Sequence, residues 1–239
     1  MRLQRQRSMK ILALDTATGQ ASVALSIDGS IAAEISFNAD RTLSARLVPE
    51  IGHLLSLAGC AMAEIDLFTA ATGPGSFTGV RGGIATIQGL ALACGKPCAG
   101  FSSLALLAMN FPLDPLPVCP LIDARKSEVY GALYDCSAPI PTPIIADCVL
   151  PPEQFLQQLS ETRTTPVIFC GDGAIRYRDL IAGKMGDRAQ FAPEPLNWSH
   201  AANGTVLARY AMDEGTLVKP AGLLPTYLRA SDAEINRAA

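Results

Sequence analysis

The stretch Gly73-Pro74-Gly75-Ser76-Phe77-Thr78-Gly79-Val80-Arg81-Gly82-Gly83 holds the strongest chemical signal in the chain. It lies between an apolar run, Leu67–Thr72, and an Ala-rich segment that ends at Gly95. Strand, glycine turn and helix start in that order aim backbone N–H groups and a positive helix end at one point. Ser76 and Thr78 add hydroxyls that either cap the helix or reach an anion. Gly75 permits the turn itself or a second backbone passing close by. The P-loop's Gly-Lys-Ser/Thr ending is missing, and Thr78 stands where a dinucleotide fingerprint needs glycine. Two readings therefore stand side by side, an anion site and a purely structural turn. A second polar constellation, Asp15 with Thr16 and Thr18, closes the first apolar strand, and its plain reading is an Asx-type turn. A third, Asp123, Arg125, Lys126, Glu128 and Tyr130, places both signs of charge on a hairpin. Such a hairpin either grips a ligand or partner, or forms solvated ion pairs of little energetic weight.

These groups need elements to hold them. Lys10–Asp15, 21–27 and 30–37 read as a three-stranded meander, with Asp28-Gly29 as the hairpin turn. Helix 41–57 follows, with Leu43, Leu47, Ile51, Leu54 and Leu55 at helical spacing and Pro49 expected to kink it. Strand 67–72, helix 78–94, strand 97–101 and helix 102–109 complete a first unit. Pro112, Pro115, Pro117 and Pro120 mark a boundary, giving expected domains 1–110 and 111–239. The second unit reads as strands 118–123, 128–135 and 144–149, helix 152–160, strand 166–170, helices 174–183 and 200–213, and an extended tail 225–229. This order gives an α/β protein whose second half is sparser in regular structure.

Composition sets limits. Hydrophobic residues make up 49% and charged residues 17%, which fits a folded chain with an interface-prone surface. A net charge of −3 disfavours stand-alone nucleic-acid binding, since affinity for phosphate comes from clustered Lys and Arg. The basic cluster Arg2, Arg5, Arg7 and Lys10 reads as a solvated leader without a secretory h-region. No run reaches the length of a membrane span. Seven cysteines without compact spacing point to a reducing compartment, and Cys94 and Cys98 have no second pair with which to complete a zinc site. His53 and His200 are far apart in sequence and read as packing or capping residues.

The glycine stretch, followed by Ala85-Thr86-Ile87-Gln88-Gly89-Leu90-Ala91, resembles the signature of the TsaB (YeaZ) family. Leu12–Thr18, Asp123–Tyr130 and Pro225-Thr226-Tyr227-Leu228-Arg229 resemble that family's first strand and turn, second-lobe hairpin and tail, in the same order. The resemblance covers nearly everything from Met9 to Glu234. It implies an actin-like, ribonuclease-H-like (ASKHA) fold of two lobes, the second degenerate. In nucleotide-binding members of that superfamily an acidic residue at the position of Asp15 approaches a metal-bound phosphate. Asp15, Thr16, Gly75, Ser76 and Thr78 are thus the candidates for nucleotide or anion binding.

The resemblance also implies a cytoplasmic partner subunit without catalysis of its own. It would form a heterodimer with the paralogue TsaD, be joined by the ATPase TsaE, and self-associate when alone. Nothing would be bound by the isolated chain, with ATP or ADP entering only in the complex and tRNA reached only through it. The docking surface implied is the pair of helices 41–57 and 78–94, with Arg46 and Pro49 on the first and Gly82, Gly83, Thr86 and Gly89 on the second. Where TsaD carries metal-binding histidines one helical turn apart, this chain has Ser103 and Leu107, and TsaD's aspartate ligand falls near Ala202. No metal is expected. Leu43 also replaces the family's usual histidine, while Ser44, Leu47 and Pro49 remain. The competing reading is a stand-alone ASKHA-type ATPase or kinase, favoured by Asp15 and the glycine loop.

Overall fold

The computed structural model describes residues 8–39 and 43–229. Arg2, Arg5, Arg7 and the first two positions of the expected helix 41–57 lie outside them. The meander forms as expected: β1 (Lys10–Asp15) pairs antiparallel with β2 (Gln20–Ile27), and β2 with β3 (Ser30–Asn38). β4 (Leu67–Gly73) then lies parallel to β1, and β5 (Cys98–Ser102) parallel to β4, giving the order β3-β2-β1-β4-β5. Helix α1 (Leu43–Leu57) continues through Pro49. The N–H that Pro49 lacks would have bonded the Ala45 carbonyl; both residues are exposed, so water can replace the missing bond. Helix α2 (Phe77–Cys94) starts at Ser76 and stops at Gly95, whose left-handed backbone closes it.

The second sheet repeats the plan. Strands β6 (Val118–Arg125), β7 (Glu128–Asp135) and β8 (Thr142–Leu150) form the meander; β9 (Val167–Cys170) and β10 (Ala189–Phe191) add in parallel on the other side of β6. The order β10-β9-β6-β7-β8 is that of the first sheet with its elements in the same succession. Its reduction lies in length alone, β9 and β10 having 4 and 3 residues. Helix α4 (Pro152–Thr162) follows the meander. The single helix expected over 174–183 is two, α5 (Asp172–Arg176) and α6 (Arg178–Met185), broken at Tyr177. The break keeps α5 tight on β6, where a Cβ at Gly173 would lie 2.8 Å from the Leu121 carbonyl carbon. Ile181 and Met185 of α6 join the core below.

Both central strands are buried on both faces, and their alternation sorts the core. Leu12 and Leu14 of β1 pack with Leu47, Ile51, Leu54, Ile84 and Ile87 of α1 and α2. The opposite face, with Ile11 and Ala13, is covered by α7 (Ala201–Asp213), a helix that follows the second sheet in the chain. The exchange is reciprocal. Helix α3 (Ser103–Ala108) follows the first sheet and packs Leu104, Leu107 and Ala108 against Val118, Ile122 and Tyr134 of the second. α3 and α7 also touch each other. A polar link reinforces this crossing: Asp147 of β8 accepts from Ser102 Oγ at 2.5 Å and Tyr134 Oη at 2.6 Å. Burial pushes the Tyr134 phenol upward, beyond its ordinary range, so it stays a donor. No helix among the described residues is long and apolar enough to cross a membrane.

Candidate functional site

The two lobes face each other across a cleft of about 860 Å³. The first lobe supplies the β1–β2 turn at Ala17–Gly19, the loop Gly73–Ser76 and the first turns of α2. The second supplies Ile122–Arg125, Tyr130 and Asp172, and residues 226–229 of the tail line the cleft as well.

The glycine loop is shaped by close approach. A Cβ on Gly75 would sit 2.2 Å from the Ala17 carbonyl oxygen, and one on Gly79 2.1 Å from that of Thr16. One on Gly83 would sit 2.3 Å from Thr16 Oγ1. Real side chains never tolerate such distances, so glycines at 75, 79 and 83 clear a track in which the β1 turn lies. Hydrogen bonds fasten it: Ser76 N donates to the Ala17 carbonyl at 2.7 Å, and Thr16 Oγ1 to the Gly79 carbonyl at 2.7 Å. Ser76 Oγ accepts from Gly79 N at 3.3 Å, so this hydroxyl caps α2. The geometry gives the loop a structural role, while Gly75 and Ser76 also line the cleft. Gly83, expected on the docking face, is buried against Thr16 and belongs to this internal contact.

Asp15 does not line the cleft. It is 0% exposed, pointing with Ile11 and Ala13 toward the α7 side of the sheet. There its carboxylate accepts from Ser199 Oγ, 184 positions away, and from Ala17 N at 2.9 Å. Burial raises its pKa, with the Ser199 and backbone bonds opposing the rise. Thr16 is buried too, and its hydroxyl is spent on Gly79. Asp15 and Thr16, expected to approach a phosphate, are sealed inside the first lobe. Thr78 is exposed on the first turn of α2.

The hairpin's carboxylates are engaged within the chain. Asp123 accepts from Arg125 N at 3.0 Å and pairs with Arg125 Nη1 and Arg176 Nη1, each at 3.1 Å. Asp172, its carboxyl pushed up by burial, accepts from Asp123 N at 3.0 Å. Glu128 pairs with Arg229 of the tail at 2.6 Å. Lys126 occupies the turn, where Arg125, Lys126 and Ser127 all have positive φ.

The remaining docking candidates point outward. Nothing lies within 4 Å of a Cβ at Gly82 or Gly89. With Thr86, whose hydroxyl donates to the Gly82 carbonyl at 2.8 Å, they form an open helical stripe. Pro49 is exposed on α1 beside Val48, 57% exposed. Arg46 is tied to its own lobe, bonding Glu50 at 2.7 Å with its guanidinium 4.5 Å over the Phe37 ring. Ser103 and Leu107 are both buried in α3, and Ser103 Oγ has no hydrogen-bond partner among the described residues. Ala202 N is capped by Glu34 at 2.9 Å, and His200 lies 3.5 Å from the same carboxylate. No group of three or more His, Cys, Asp or Glu among the described residues is disposed to hold a metal.

Two predictions follow from the sealed turn. Gly79→Ala should destabilise the protein by roughly 2 kcal/mol or more, because backbone must move to admit the methyl. Gly89→Ala, in open space on the same helix, should stabilise by up to about 1 kcal/mol, and urea unfolding of the two variants reads the contrast. For Asp15, a folded pKa above the unfolded one means stability from the neutral form at low pH, lost as pH rises through the shifted value. Asp15→Asn stays neutral throughout. Its stability relative to the parent should therefore rise between about pH 4 and neutrality. A flat difference would mean that Asp15 titrates in the folded protein as it does in the unfolded chain.

Sequence and structure comparisons agree with this architecture. The family model for TsaD, tRNA N6-adenosine threonylcarbamoyltransferase, matches residues 32–237. The tRNA threonylcarbamoyladenosine biosynthesis protein TsaB of Bacillus subtilis is 29% identical over 232 residues, covering 95% of this chain and 96% of its own. Its Haemophilus influenzae namesake is 39% identical over 168 residues, covering 64% and 69%. Among solved structures, YeaZ from Pseudomonas aeruginosa superposes with a TM-score of 0.78 at 32% identity, covering 92% of this chain and 100% of that one. Component A of the Acidaminococcus fermentans (R)-2-hydroxyglutaryl-CoA dehydratase shares the fold alone, with a TM-score of 0.52 at 12% identity over 86% of this chain and 100% of its own. With four matching motifs on a two-lobed ASKHA frame and relatives aligned along nearly its whole length, the chain belongs to the TsaB (YeaZ) family.

Proposed function

We propose that this protein is a non-catalytic subunit in the formation of tRNA threonylcarbamoyladenosine, and that it pairs with TsaD through the outer face of α1 and α2. The observation that carries the reading is the character of that face. Helix α2 has one charged residue, Arg81, along its 18 positions, and its outer stripe of Gly82, Thr86 and Gly89 leads to Leu92, 73% exposed. On α1, Val48 and Pro49 extend the apolar surface. Small residues let a partner helix approach closely, and exposed apolar side chains on a stable lobe mark a surface meant to be covered. Without TsaD the same face pairs with a second copy about a twofold axis, because the interface then has identical halves.

The residues available for chemistry support the same division of labour. Asp15, Thr16 and Ser76 are committed to internal bonds, and the hairpin carboxylates to internal arginines. TsaD therefore transfers the threonylcarbamoyl group to adenosine, TsaE joins as the ATPase, and ATP or ADP enters only with the complex. A net charge of −3 leaves tRNA contact to the complex as well. The assembly works in the cytoplasm, where tRNA is modified.

Gly89→Arg is the direct test. The side chain has open space in the monomer, so the melting temperature should stay within about 2 °C, as for other exposed substitutions. In a packed interface it buries an unpaired charge, and TsaD capture should fall at least about tenfold. tRNA threonylcarbamoylation by the reconstituted complex should fall with it. Unchanged capture would place the interface elsewhere. ATP turnover by the isolated chain should be at background, and a robust rate would favour the stand-alone ATPase.

A further inference from the structure

Two junctions between the lobes bear on the cleft's setting. One junction is the crossing of α3 and α7, and neither helix lines the cleft. The other is the tail, whose attachments are unequal. Gln88 Nε2 of α2 donates to the Pro220 and Leu223 carbonyls, both at 3.0 Å, and the Leu223 side chain is buried in the first core. Thr226 N then donates to the Thr72 carbonyl at 2.7 Å, beside the glycine loop. Tyr227 stacks on Phe77 at 5.6 Å and accepts from Arg81 Nε at 2.5 Å, while the Arg81 guanidinium lies 3.7 Å over the Phe77 ring. Up to this point each of these contacts is to the first lobe. Arg229 crosses the cleft. Its Nη1 bonds Glu128 at 2.6 Å and its Nη2 the Ala124 carbonyl at 3.3 Å, both on the β6–β7 hairpin.

We propose that residues 225–229 form a strap that sets the opening of the cleft, rooted on the first lobe and latched to the second through Arg229. The chemistry of the two ends suits those roles. The root combines backbone bonds, a buried leucine and an aromatic–guanidinium stack, which together hold the tail in place. The latch is an ion pair whose partners are 28% and 30% exposed, and such pairs make and break readily. When Arg229 lets go, the strap stays on the first lobe, and the lobes are left joined through α3 and α7, free to hinge there. A ligand or partner segment entering between loop and hairpin has to displace Arg229 first.

Hydrogen–deuterium exchange on the full chain tests this. Arg229→Ala should speed amide exchange at least about threefold in both cleft walls, residues 73–79 and 123–130, while central β1 and β6 keep their protection. Exchanging the charges, Glu128→Arg with Arg229→Glu, should bring the walls back toward the parent rate. Walls unchanged in Arg229→Ala would overturn the proposal, as would a charge exchange that leaves them as fast as the single variant. Should Arg229→Ala loosen the whole protein, Glu128→Gln is read instead. It weakens the latch while keeping a polar side chain, and unchanged walls there overturn the proposal equally.

Discussion

The contact between the β1 turn and the glycine face of α2 is the constraint on which the rest of the first lobe depends. Thr16 and Ala17 lie so close to α2 that residues 75, 79 and 83 have no room for a side chain. Reciprocal hydrogen bonds then fix the helix in azimuth as well as in position. With one face held against Thr16, the face bearing Gly82, Thr86 and Gly89 has to point away from the lobe. A loop whose composition suggests phosphate binding thus also acts as a bearing surface, which sets the orientation of the helix proposed above as the docking element. The same contact closes off Asp15 and Thr16 from the cleft.

The two sheets share a plan but not a task. The first presents an apolar outer face on long helices. The second presents a charged hairpin to the cleft and holds the far end of the tail. Exchange of α3 and α7 ties the sheets together without involving either surface. The proposed docking face and the proposed latch therefore lie on different parts of one small protein.

Much of this was legible in the residues. The meander, the Ser76 cap and the Gly95 stop follow from local rules of periodicity, turn and capping chemistry, each confined to a few neighbouring positions. What escaped was set at long range. Residue type does not say whether a helical glycine faces in or out, so Gly83 and Gly89 look alike until Thr16 is placed beside one of them. Asp15 looks available until Ser199 arrives from the far end of the chain. Arg81 carried a usable signal, a lone charge on an otherwise uncharged helix, yet its partner Tyr227 is 146 positions away. β10 is too short for alternation to show, and the break at Tyr177 answers to the Leu121 backbone, which the local sequence does not contain.

The crossing of α3 and α7 has a consequence for biosynthesis. As the chain leaves the ribosome, the first sheet is synthesised by residue 102, yet the helix that covers its Ile11, Ala13 and Ala99 face begins at residue 201. Through roughly half of translation the nascent protein carries an uncovered apolar sheet, a surface that invites chaperones or premature association. The second lobe does not wait in this way, because its own inner helix, α3, precedes it in the chain. Folding of the lobe that emerges first is completed last, and a chain truncated midway would leave the Ile11, Ala13 and Ala99 face of its first sheet bare.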